Sequence, residues 1–157
     1  MTNHKTRAEL GVAALGGFLE GLSFLSKDSR ANYATAYEVE ASNATDFLSE
    51  VAARFEHLPD LKFDIDQNDQ GDINQLEQAI TSHLLIDPHI KDGKTAEDMR
   101  KYLSFNVLDR IDLEIADLRS FEPPQRIVGR SSTLSGLVVF YLLTSPKINF
   151  VLQFSEC

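Results

Sequence analysis

The chain has 157 residues, 43% hydrophobic and 25% charged, with a formal net charge of −9. That length suits one domain, residues 1–157, which can bury a core without a metal or disulfide staple. The only cysteine is Cys157, so no disulfide can form within the chain, and the apolar content argues against disorder.

The first predicted element is a helix over residues 6–26. Leu10, Ala13, Phe18, Leu22 and Leu25 mark its apolar stripe, widened by Ala14, Leu15 and Leu19. Gly17 and Gly21 lie four apart on it and suit close approach of another backbone. Lys5 and Arg7 ahead of this apolar run resemble the start of a signal peptide. Glu9 in front, Glu20 inside and the missing cleavage site argue against that reading. The run is also too short and interrupted to span a bilayer, so no membrane role and a cytoplasmic location are expected.

Residues 33–41 fit a strand by the alternation of Tyr37 and Val39 with Glu38 and Glu40, and a helix by alanine content. Ser42 or Asn43 then caps a helix to about Glu56, with Phe47, Val51 and Phe55 on one face. Leu61, Phe63 and Ile65 alternate with Lys62, Asp64 and Asp66 as a half-buried strand. Asp72 caps a helix to about Leu85, and Thr95 opens another to about Phe105. Residues 107–118 fit a strand through Ile111, Leu113 and Ile115, or a helix through Leu108, Ile111, Ile115 and Leu118. Arg126–Arg130 adds a short strand. Residues 136–144 read as a strand buried on both faces, turned at Ser145-Pro146 into a second strand carrying Ile148, Phe150, Leu152 and Phe154. The expected fold is therefore α+β, with N-terminal helices packed on a C-terminal antiparallel sheet that ends in a β-hairpin.

The charge is concentrated. Residues 36–77 hold eleven acidic and two basic residues, and the rest of the chain holds thirteen of each sign. Phosphate binding needs bases, so nucleic acid is not the expected partner. A basic protein is, because a clustered negative field speeds its approach. The leading expectation is a non-enzymatic interaction protein of the inhibitor, immunity-protein or chaperone type. Its contact residues would be Tyr37, Glu38, Glu40, Asp46, Phe47, Glu50, Asp64, Asp66 and Asp69, with Tyr37, Phe47 or Phe63 as apolar anchors. The first helix and the edge of the terminal hairpin offer routes to self-association.

Two other readings compete. Asp66, Asn68, Gln70, Asp72 and Glu77 follow the spacing of a calcium-binding EF-hand loop, with Gly71 at the sharp turn. Gln70 departs from the usual Asp or Asn, and a strand precedes the loop where an EF-hand has a helix. A small-ligand or enzymatic domain would place its site between the sheet and the helices. No nucleophile elbow, P-loop or zinc spacing occurs, and His4, His57, His83 and His89 form no ligand pattern.

Overall fold

The computed structural model describes residues 4–25, 33–51, 55, 61–66, 76–77, 93–130 and 137–155. Helix α1 spans His4–Leu25, strand β1 Tyr33–Val39, helix α2 Ala44–Val51 and strand β2 Lys62–Asp66. Helix α3 spans Gly93–Arg110 and runs into a π-helical turn at Ile111–Ile115 and a 3-10 turn at Leu118–Ser120. Strands β3 (Gln125–Arg130), β4 (Leu137–Thr144) and β5 (Asn149–Ser155) follow.

The fold is α+β, with α1 packed on a five-stranded antiparallel sheet of order β1-β5-β4-β3-β2. The C-terminal β4–β5 hairpin pairs Thr144 with Asn149 and Val138 with Ser155. The helices are interleaved with the strands: β1 and β2 come from the N-terminal half and form the two edges. Residues 33–41 are thus a strand, as their alternation allows. Tyr33 pairs with Ser155 and Val39 with Asn149.

The alternation of β4 and β5 sorts their side chains onto two covered faces. Val139, Tyr141, Leu143, Phe150, Leu152 and Phe154 face the cluster that α1, α3 and the π-turn complete. Val138, Phe140, Leu142 and Val151 face α2, Phe55 and Phe63. Among the described residues on this second side, Phe140 meets three rings, those of Phe47 at 5.1 Å, Phe55 at 6.0 Å and Phe63 at 6.1 Å between centroids. Gly129 leaves room for that cluster, since a Cβ there would lie 2.9 Å from the Phe63 ring.

Helix α2 begins where the sequence places it. Asn43 Oδ1 accepts the Asp46 N–H at 2.9 Å, and Asn43 Nδ2 donates to Asp46 Oδ2 at 3.0 Å. Phe47 and Val51 are fully enclosed on its inner face. The expected continuation to Glu56 falls largely outside the described residues.

Residues 107–115 are helical, not a strand. Val107, Leu108, Ile111 and Ile115 are buried, whereas Leu113, which a strand would place beside Ile111 and Ile115, is 77% exposed. The Ala116 N–H donates to Ile111 O at 3.0 Å, closing the wider turn. Asp117 caps the next turn by accepting the Arg119 N–H at 2.9 Å.

Two expectations for α1 need correction. Its buried face is Ala8, Val12, Leu15 and Leu19, while Leu10 is 66% exposed and Ala13 and Ala14 face solvent. The close backbone contacts fall at Gly11 and Gly16, and Gly17 and Gly21 have nothing within 4 Å of a built Cβ. This helix is apolar nearly all round, so its periodicity carries little information about which side turns inward. Among the described residues no helix is long and apolar enough to cross a membrane.

Candidate acidic cleft

One end of the sheet carries an open cleft of about 690 Å³. Glu9 of α1, Glu38 and Glu40 at the end of β1, and Glu50 of α2 line it, together with residues 145–149 of the β4–β5 turn. Among the described residues, the lining thus holds four glutamates and one lysine, Lys147. Glu38, Glu40 and Glu50 are exposed, and Glu9 is half-buried.

Hydrogen bonds hold the walls together. The Glu40 N–H donates to Glu50 Oε1 at 2.8 Å, tying α2 to the end of β1. Asn149 Nδ2 donates to Glu40 O at 3.4 Å, tying β5 to the same point. Within the hairpin turn the Ser145 hydroxyl donates to Ile148 O at 2.8 Å and accepts the Ile148 N–H at 3.1 Å. The lining is thus anchored to the sheet, and Glu9 and Glu38 each have an interaction of their own.

The structure divides the sequence-predicted contact residues into groups. Glu38, Glu40 and Glu50 meet in the cleft. Asp46 is exposed but engaged in the α2 cap. Tyr37 is half-buried, and its hydroxyl donates to Gln153 Oε1 at 2.8 Å on the α2 side of the sheet. Phe47 is fully enclosed against Phe140, so it belongs to the core and offers no surface to a partner. Phe63 is half-buried within the same ring cluster.

Asp64 and Asp66 lie on β2, at the opposite edge of the sheet from β1. Four inter-strand steps separate those edges, roughly 19 Å at the usual strand spacing. Glu38 and Glu40 are consequently separated from Asp64 by the width of the sheet. Asp69 lies outside the described residues, as do Asn68, Gln70, Asp72 and the side chain of Asp66 in the calcium-type loop. Of that set Glu77 is described, in helical conformation beside the buried Leu76, and it has an interaction of its own. The element entering the loop is strand β2. Among the described residues no group of three or more His, Cys, Asp or Glu side chains is arranged to hold a metal ion.

Sequence reasoning did not anticipate Glu9 or the 145–149 turn as parts of this site. Glu9 lies outside the acidic stretch, and nothing local marks it as a neighbour of Glu38. No protein-family model matches the chain, and no curated protein matches it in sequence.

Proposed function

We propose that this chain is a non-enzymatic binding protein that captures a basic protein segment in the acidic cleft, as an inhibitor, immunity protein or chaperone of that partner. The observation that carries the reading is the convergence of Glu9, Glu38, Glu40 and Glu50, from three separate elements, on one open cleft. Such a site attracts lysine and arginine side chains over a distance and then pairs with them individually. The negative field accelerates encounter, and the half-buried Tyr37, next to Glu38 on β1, is the candidate for apolar contact. The alternative of a ligand site between sheet and helices has less support. Leu15, Leu19, Ile111, Phe150 and Leu152 fill that interface and are fully enclosed.

The test starts from capture of a partner from its native lysate at low salt, followed by association kinetics across a salt series. Association should slow steeply as salt rises. Substituting both Glu38→Gln and Glu40→Gln should lower the association rate by about tenfold at low salt and flatten the salt dependence. Asp64→Asn, at the other sheet edge, should leave the rate within about twofold of wild type. A salt-independent rate, or an equal effect of Asp64→Asn, would rule out the cleft as the docking site.

A further inference from the structure

Helix α1 meets main chain, not only side chains, at two points. A Cβ on Gly11 would lie 2.5 Å from the Glu114 carbonyl oxygen and 2.9 Å from Ile115 Cγ1. A Cβ on Gly16 would lie 2.5 Å from the Ala36 carbonyl oxygen. Both separations are shorter than real Cβ contacts, so an added methyl requires something to move.

The surfaces under these glycines are poorly able to yield. The π-turn beneath Gly11 is closed by the Ala116–Ile111 bond at 3.0 Å and flanked by the buried Ile111 and Ile115. The Arg110 guanidinium, ion-paired with Glu114 at 3.8 Å, lies 4.5 Å from the centroid of the Phe18 ring of α1. Ala36, beneath Gly16, is held in the sheet opposite Leu152. An added methyl at either glycine would therefore push α1 away from the surface beneath it.

Each seat lies two residues from a cleft carboxylate. Gly11 follows Glu9 in α1, and Ala36 precedes Glu38 in β1. Among the described residues, Glu9 is the α1 residue in the cleft lining. We infer that Gly11 and Gly16 are positioning residues for the acidic cleft. They set the depth at which α1 lies against the π-turn and β1, and so the placement of the Glu9 carboxylate relative to that of Glu38. This role rests on the cleft being the binding site. Its consequence is geometric: charge-assisted hydrogen bonds need short donor–acceptor distances, so a lifted helix takes Glu9 out of reach of a cation held by Glu38.

Calorimetric titration of the full chain with a penta-lysine peptide at low salt tests the role. Gly11→Ala and Gly16→Ala should each weaken binding by roughly fivefold or more. Gly17→Ala and Gly21→Ala, the same change on the same helix over open space, should bind within about twofold of wild type. Once Glu9→Gln has removed the carboxylate, Gly11→Ala should cost no further affinity, because the two act through one contact. Glu9→Asp retracts the carboxylate by one methylene without touching either seat. It should reproduce the loss even where Gly11→Ala fails to fold. Equal binding by the Gly11→Ala and Gly17→Ala proteins overturns the positioning role and leaves the cleft reading intact. Full additivity with Glu9→Gln, or wild-type binding by Glu9→Asp, does the same. Absence of salt-dependent binding by the wild type overturns the cleft reading itself, and this role with it.

Discussion

The two faces of the sheet are covered by opposite means. Under α1 and α3 the fill is largely aliphatic, and a long helix comes down to main chain at Gly11 and Gly16. Under α2 an eight-residue helix covers the sheet, and rings occupy the remaining depth, with Phe140 at their centre. Rings also pair on the first face, Phe121 with Phe150 and Tyr141 with Phe154. There, however, the helix itself is seated on main chain, whereas on the second face the seating is made by rings. The first should therefore be most sensitive to added atoms and the second to deleted ones.

The largest expected effect is on the ring face. Phe140→Ala should cost about 3–5 kcal/mol, because it removes a fully enclosed ring and leaves three others around a void. Urea unfolding would read this as a lower midpoint. A loss below about 1 kcal/mol would mean that the cluster collapses onto the gap and that the contrast between the faces is weak. On the helical face the informative change is an insertion. Gly16→Ala should destabilise by about 1–3 kcal/mol through overpacking against Ala36. Gly17→Ala, over open space, should stabilise by up to about 1 kcal/mol through helix propensity. If both raise Tm equally, α1 is not seated as the contacts at Gly16 require.

Smaller changes sharpen the comparison. Asn43→Ala removes the cap of α2 and should cost about 1 kcal/mol. Hydrogen exchange should then report faster opening of α2 than of α1, which locates the effect on the ring face. The smallest effect is a pH dependence outside both cores. Asp117 lies below its ordinary carboxyl pKa of 3.8, first because it accepts the Arg119 N–H and then because it bonds the Arg119 side chain. Folding thus favours the ionised form. Its contribution is present above pH 3.8 and disappears as pH falls through the lower folded value. The group is solvent-exposed, so the effect is small and salt-screened. The stability gap between wild type and Asp117→Ala should narrow on acidification below that pH, and a gap that widens would reverse the assignment.

Much of the fold was legible because its elements carry their own phase. The Phe47, Val51 and Phe55 spacing marked the inner face of α2. The alternation from Ile148 to Phe154 marked the inner face of β5, and Pro146 marked the turn between the hairpin strands. Residues 107–118 carried two periods at once. Packing chose the helical one, since it buries Val107 and Leu108 with Ile111 and Ile115 and leaves only Leu113 in water.

The charge on which the functional reading rests shows both sides of this division. By itself the sequence determined that net negative charge lies in residues 36–77 and that this stretch carries the periods of strand and helix, because composition and period are local properties. Tertiary structure alone decided which acids are neighbours. Strand pairing sent β1 and β2 to opposite edges, and so parted Glu38 and Glu40 from Asp64. The seating of α1 on Gly11 and Gly16 brought in Glu9 from outside the stretch. Pairing and seating join residues far apart along the chain, through contacts that no local pattern records.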